Sequence, residues 1–392
     1  MSGPAAGGTP PRDLLDAAAL DGPDALGREM AEGPAAVAET LAQVARLRPA
    51  LDASVASAGR IVIVGTGASL AVARTAAPLW RQRAAATRPA ATVRVLDVVV
   101  RESTAAVLGD VDGQAFRRDD LVVAVSQSGT SPETLAAARR ARTAGSAVLA
   151  VTAHADSALA EAASLTLTIA SGEEHYASTK SALATLAGLL AVGRVMPEGG
   201  GATAAVMRLR AVVGSMEIAV GAGRLLAASD RVWFLGFGAA HGLAEAGALL
   251  WHEKVVRTAV ATTPSEFRHG LIEASRAGDA VVLLDVDAPD ARRDGYLARL
   301  RDELAALEVA IVEIVPGPPV APGPPPSAAE EGSDAGRRRR VGTTGREPAA
   351  RTLETLLRVQ QVARAAALAA GTYRDGFEIL RNVVLSADDL FR

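Results

Sequence analysis

Six consecutive residues, Ser126-Gln127-Ser128-Gly129-Thr130-Ser131, follow the apolar run Leu121 to Val125 and lead into a helical pattern that begins around Pro132 to Thr134. A helix start exposes unpaired backbone N–H groups at the positive end of its dipole, so hydroxyls and amides gathered there can surround phosphate oxygens without a lysine. Ser126, Gln127, Ser128, Thr130 and Ser131 are the candidate phosphate ligands, and Gly129 lets the backbone approach closely. The competing reading makes Ser131 an ordinary helix cap with Pro132 at the first position. Capping alone does not call for five hydroxyl or amide side chains in six residues.

A second turn, Gly65-Thr66-Gly67-Ala68-Ser69, follows the run Arg60 to Val64. It falls short of a dinucleotide fingerprint, because Leu70 stands where the third glycine is needed and no clear acidic residue ends the next strand at the expected spacing. Ser69 fits either a sugar or phosphate contact or an N-cap.

Composition narrows the chemistry. The net charge of −3 supplies no broad positive field for a nucleic-acid backbone or an anionic membrane, so neither is an expected partner. The chain has no cysteine, which excludes disulfides, thiolate metal ligands and a thiol that hydrolyses glutamine. Its only lysines are Lys180 and Lys254, so amine chemistry has few possible carriers. The start of the chain does not read as a signal peptide, and the most membrane-like stretch, Ala182 to Val195, is short and interrupted by Arg194. A cytoplasmic protein with no metal or organic cofactor is expected.

The elements that must position these residues alternate strand and helix. Strand signals lie at Arg60 to Val64, Val93 to Leu96, Leu121 to Val125 and Ala147 to Val151, each followed by turn residues or a helical pattern, which predicts a parallel α/β sheet. Arg60-Ile-Val-Ile-Val-Gly-Thr-Gly67 recurs as Arg231-Val-Trp-Phe-Leu-Gly-Phe-Gly238, and Asp120 to Val125 is echoed by Asp279 to Leu284. The chain therefore reads as duplicated. The second-half counterpart of the hydroxyl turn is Leu284-Asp-Val-Asp-Ala-Pro289, whose carboxylates repel phosphate, so one phosphate site per chain is expected. The expected organisation is a loose lead-in over 1–34, a first domain over 35–200 opening with a helix from Ala35 to Ser57, and a second over 205–385. A low-complexity insertion at about 316–350, carrying Arg337 to Arg340, reads as a disordered surface loop, and Thr352 to Ala370 as a closing helix.

Three motifs together resemble the SIS (sugar isomerase) family, in particular the paired SIS domains of glucosamine-6-phosphate synthase and its isomerase and deaminase relatives. They are Ser126-Gln127-Ser128-Gly129, then Ala177-Ser178-Thr179-Lys180 after Glu173, then Glu253 followed by Glu266-Phe267-Arg268-His269-Gly270. The resemblance covers about residues 35 to 385. It implies two tandem SIS domains, each a parallel five-stranded sheet flanked by helices. It further implies that the Ser126 loop holds a sugar phosphate and that Ser69 matches the serine of the first glycine turn; Tyr176 and Lys180 are expected to line or support the site, Lys180 fitting a structural helix-start residue equally well. Glu253 aligns with the family's base for proton transfer between C1 and C2, and His269 with its ring-opening histidine. Family members receive that histidine from the neighbouring subunit, which implies a homodimer with shared sites.

Elementary chemistry agrees with those roles, because imidazole suits ring opening near neutral pH and a carboxylate suits a carbon-bound proton. The sequence departs from the synthase in two places. No lysine lies between Arg374 and Arg392, and Leu250 stands where a lysine is found on the helix bearing the base. The expected activity is an isomerase or deaminase of a hexose- or aminohexose-6-phosphate. A non-catalytic sugar-phosphate sensor and a deglycase of phosphorylated sugar–amine adducts are the alternatives.

Overall fold

The computed structural model describes residues 24–86, 97–109, 115–174, 177–317 and 337–377. Tyr176 and the strand signal at Val93 to Leu96 lie outside them.

The described residues open with α1 (Ala25–Ser57), which begins ten residues earlier than the sequence pattern suggests. Asp24 caps it by accepting from Gly27 N at 2.8 Å and is itself held by Arg364 Nε at 2.8 Å. Pro34 lies inside the helix and marked its expected start. Leu26, Met30 and Val37 are buried, and that burial offsets the single backbone bond a proline removes.

The first lobe continues with β1 (Arg60–Gly65), α2 (Ala68–Ala86), β2 (Asp97–Glu102), α3 (Ser103–Leu108), β3 (Asp120–Val125), α4 (Pro132–Thr143), β4 (Ala147–Thr152), α5 (Ala158–Ala162), β5 (Leu165–Thr168) and α6 (Lys180–Val192). After α7 (Gly200–Val213) and α8 (Val220–Ala227), the second lobe runs through β6 (Val232–Gly236), α9 (Ala239–Leu250), a π-helical turn at Trp251–Val255, β7 (Ala259–Thr262), α10 (Pro264–Arg268), β8 (Ala280–Leu284), α11 (Ala291–Ala306), β9 (Ala310–Pro316), β10 (Arg338–Thr343) and α12 (Pro348–Ala369).

Both sheets are parallel and five-stranded, ordered β2-β1-β3-β4-β5 and β7-β6-β8-β9-β10. Counted from its own first strand, each has the order 2-1-3-4-5, in which the crossovers reverse direction between the first and third strands. Ligand crevices of open α/β sheets form at that reversal, outside the carboxyl ends of the strands.

Side chains alternate between the faces of each strand. Ile61, Ile63, Val123 and Val125 join a core that continues through α1, α2, α6, α9 and α12 to Val232 and Phe234 of the second sheet. Val62, Val64, Val122 and Ala124 face outward onto a separate cluster, and Trp233 and Leu235 do the same in the second lobe. The two sheets thus share one interior. The helices that follow the first strand of each sheet, α2 and α9, pack closely where a Cβ on Gly242 would come within 2.4 Å of Thr75 N, and Arg74 pairs with Glu245 across the contact.

The same clamp ties the start of each sheet. Arg60 donates to both Asp120 oxygens at 2.9 and 2.6 Å, and Arg231 to both Asp279 oxygens at 3.0 and 2.9 Å. Each aspartate also accepts a backbone N–H from the residue three before it, Arg117 or Arg276.

The reading of 316–350 as a disordered loop needs correction at both ends. Residues 318–336 lie outside the described residues, but Arg338 to Thr343 form β10, parallel to β9, and α12 begins at Pro348. The arginine run is not a solvated tail: Arg338 Nη2 pairs with the buried Glu313 at 2.7 Å, while Arg301 Nε meets the other oxygen of that carboxylate at 2.7 Å. Low apolar periodicity concealed an edge strand whose polar residues find ionic partners.

Candidate functional site

The Ser126 loop leaves the carboxyl end of β3 and enters α4. Ser126 is buried and its amide donates to Val151 O at 3.0 Å, which fixes the loop to the neighbouring strand. Gly129 N donates to Ser126 O at 3.1 Å, closing a tight turn. Gly129 has φ of +65°, and a Cβ there would sit 2.1 Å from Ser157 Oγ, so only glycine fits. Ser128 Oγ accepts from Thr130 N and Thr130 Oγ1 at 3.3 and 3.1 Å. Ser128 and Thr130 are exposed and Gln127 is half-buried.

Ser131 stands at the N-cap position of α4 with Pro132 behind it, yet its side chain makes no capping bond. It donates instead to Glu133 Oε2 at 3.0 Å. The plain capping account of Ser131 therefore fails, and the first amides of α4 remain without intrahelical acceptors.

Because β1 and β3 are paired with Val64 opposite Ala124, the glycine turn lies beside this loop. Ser69 is half-buried in the first turn of α2. The next strand, β2, ends on an acidic residue, Glu102, directly opposite Gly65 but well beyond the spacing that a dinucleotide fingerprint needs. Its carboxylate accepts from Thr104 N and Ala105 N at 3.0 and 2.8 Å and from Thr66 Oγ1 at 3.1 Å. Those bonds hold its pKa below the usual value despite partial burial. The carboxylate is spent on capping α3 and bracing the turn.

Glu253 projects from the π turn at the end of α9. Val256 N reaches back to Trp251 O at 3.1 Å to close that turn, and Val256 itself adopts φ of +56°. A branched residue in the left-handed region is strained, and π turns frequently mark functional sites. Glu253 lines a narrow crevice between the lobes with Ala68 and Val72 of α2, Ser178 just before α6, Ala182 of α6, and Gln360 of α12. Burial there raises its pKa from 4.5 to about 7; Lys254 works against the rise and the Glu174 carboxylate adds to it. A carboxyl poised near neutrality can both accept and return a proton.

Lys254, the next residue, is buried beneath the segment after α12. Its Nζ donates to Arg374 O at 3.2 Å and lies 5.9 and 5.1 Å from the ring centres of Tyr373 and Phe377. Burial lowers its pKa.

The remaining expected residues are dispersed within one chain. Lys180 is buried at the start of α6, paired with Glu32, and lines a different hollow of about 590 Å³ with Arg28, Glu29 and Glu173. His269 is exposed at the end of α10, where its amide closes the helix on Ser265 O and Glu266 O. It is not among the residues lining the crevice.

Sequence reading missed Glu174, Ser178 and Gln360. Glu174 accepts from Thr179 N at 2.9 Å, Ser181 N at 3.0 Å and Thr179 Oγ1 at 3.1 Å, so it organises the start of α6 while facing Glu253 electrostatically. Ser178 stands inside the quoted Ala177 to Lys180 motif, and Glu174 adjoins Glu173. The only signal for Gln360 is an amide pair, Gln360-Gln361, in a helical stretch that also carries Arg358 and Arg364.

Residues 54–193 match the family model of the SIS domain. The chain carries a SIS domain. That domain spans the first sheet, the Ser126 loop and α6. The chain is 29% identical over 286 residues to an N-acetylmuramic acid 6-phosphate etherase from Streptomyces avermitilis, an alignment covering 69% of this chain and 83% of the relative. Its fold is that of tagatose-6-phosphate ketose/aldose isomerase from Escherichia coli, with a TM-score of 0.74 at 20% identity over 93% of this chain and 98% of the other. The C-terminal domain of glucosamine-fructose-6-phosphate aminotransferase from Francisella tularensis shares it at a TM-score of 0.70 and 18% identity, covering 91% and 98%. Among the described residues, no helix is long and apolar enough to cross a membrane, and no cluster of ligating side chains could hold a metal.

Proposed function

We propose that the chain is a phosphosugar enzyme that removes the proton from C2 of an open-chain hexose- or aminohexose-6-phosphate. The observation that carries this reading is Glu253, a carboxyl with a pKa of about 7 in a crevice beside the first glycine turn. Ser126, Gln127, Ser128, Thr130 and Ser131 anchor the phosphate at the start of α4. Anchoring at C6 holds the remote carbons in a reactive geometry, which is itself a source of rate. Glu253 takes the C2 proton, and negative charge collects on the C1 oxygen as an enediolate. Returning the proton to C1 gives the ketose, and an amino group at C2 then leaves as ammonia by hydrolysis of the resulting imine.

His269 opens the ring in this reading. Its exposure, away from the crevice of its own chain, supports a homodimer in which each subunit supplies this imidazole to its partner. The matched strand orders and the paired arginine–aspartate clamps support two tandem SIS domains, of which the second has lost the anion loop. There Asp285 and Asp287 pair with Arg293 at 3.3 and 3.4 Å.

The likeness to the etherase favours a second fate for the same intermediate, in which a group on C3 departs instead. One experiment separates these outcomes. The protein is incubated in deuterated water with glucose, fructose, glucosamine and N-acetylmuramic acid 6-phosphates, and C2 deuterium, ammonia and released hydroxy acid are followed. Exchange alone marks an isomerase, ammonia a deaminase, and hydroxy acid a lyase. Tight binding with none of these marks a sensor and removes the catalytic reading.

A further inference from the structure

Gln360 sits on α12 at 2% exposure and reaches across to the first lobe, where its Nε2 donates to the backbone oxygen of Thr179 at 3.0 Å. A carbonyl oxygen only accepts, so this bond fixes which end of the amide is which. The opposite end, Oε1, is therefore an acceptor, and it is buried without any hydrogen-bond partner. Gln360 lines the same crevice as Glu253 and Ser178. A buried acceptor left unsatisfied costs about 1–3 kcal/mol, so an interior amide held in this orientation is explained most simply by a donor that arrives with a ligand.

We infer that Gln360 Oε1 is a specificity-determining acceptor that receives a hydrogen bond from the hydroxyl or amino group on C1 or C2 of the bound sugar. The inference rests on the phosphosugar reading of the Glu253 crevice and adds the group that recognises the sugar end, as distinct from its phosphate. The chemistry is selective. A carboxylate in this place would repel Glu253, and a hydroxyl side chain could serve as donor or acceptor. A fixed amide oxygen accepts only, so it rewards a donor substituent and penalises an analogue lacking one. The Thr179 bond makes the acceptor rigid through the first turn of α6, which Glu174 also braces.

The test compares the full-length wild type with Gln360→Met, a near-isosteric change that removes the acceptor. Calorimetry measures binding of glucose 6-phosphate, 2-deoxyglucose 6-phosphate, 1,5-anhydroglucitol 6-phosphate and inorganic phosphate. The expected result is about a tenfold loss of glucose 6-phosphate affinity in the variant, with inorganic phosphate unchanged. One of the two deoxygenated esters should bind both proteins equally, since it lacks the donor. An equal loss for all three esters would reduce Gln360 to a structural role, and no loss for any would overturn the assignment while leaving the phosphosugar reading intact. A wild type that binds none of the esters overturns that reading and this inference with it. Because Gln360→Met also breaks the Thr179 bond and can fail to fold, the Gln360 carbonyl carbon resonance of the labelled wild type provides an independent measurement. It should move on adding glucose 6-phosphate and stay fixed on adding inorganic phosphate, and the reverse refutes the contact.

Discussion

Replacing Glu253 by Gln should stabilise the protein in alkali and leave it nearly unchanged in acid. Burial in the crevice lifts the Glu253 carboxyl from 4.5 to about 7, so the folded chain holds this proton more tightly than the unfolded chain does. Below the unfolded value both states are protonated and the group contributes nothing. Between about 4.5 and 7 the unfolded state releases its proton first, and stability falls as pH rises. Above 7 the native carboxylate is ionised in a poorly solvated place, and the full cost is reached. A change from 4.5 to about 7 corresponds to roughly 3 kcal/mol, which we reduce to about 2 kcal/mol because the side chain retains contact with solvent. Urea unfolding of wild type and Glu253→Gln at about pH 5 and about pH 8.5 reads the difference directly. The advantage of the variant should grow by about 1.5 kcal/mol across that interval, since part of the cost is already present at about pH 5. A gap that stays constant or shrinks with pH refutes the burial argument. The same titration should appear in the deuterium exchange rate, rising with pH through about 7 in the wild type and absent in the variant.

Other changes test other parts of the structure. Gly129→Ala should abolish sugar-phosphate binding measured by calorimetry, since the new methyl would lie 2.1 Å from Ser157 Oγ; the strain falls on the loop, and far-UV circular dichroism should be unchanged. Asp120→Asn should lower unfolding free energy by about 3 kcal/mol because it strands a buried arginine, and Asp279→Asn by less, because the Arg231 side chain is 34% exposed against 8% for Arg60. Val256→Gly should raise the unfolding free energy measured in urea by about 1 kcal/mol, since it relieves a left-handed valine that is already 49% exposed.

Most of the sheet was legible because strands of a parallel sheet are buried on both faces and read as unbroken apolar runs. Ile61 to Val64, Leu121 to Val125 and Ala147 to Val151 all lie in β1, β3 and β4. The reading failed where ionic or capping partners replace apolar periodicity. Arg338 to Arg340 entered a strand because Glu313 on the neighbouring strand, in register with Arg340, forms an ion pair with Arg338, and Pro34 passed through α1 because Asp24, Arg364 and Leu26 anchor the turns before it. Neither long-range partner can be inferred from local pattern.

The crevice explains why part of the site was invisible. Its polar members come from residues 178, 253 and 360, which are brought together only because α2, α6, α9 and α12 share one core between the lobes. Glu253 was legible through its motif, but Ser178 and Gln360 stand among other polar residues, Thr179 to Ser181 and Gln361, and local sequence gives no reason to single out either as a ligand. The Ser126 loop was legible for the opposite reason, since all its groups lie on one turn and need no second lobe. Two sites built by such different means should respond differently to perturbation. A change at the α2–α9 contact, such as Gly242→Val, forces atoms against Thr75 and should displace Glu253 from Gln360 while the anion loop stays intact. Inorganic phosphate should then bind as before, and discrimination among sugars should be lost.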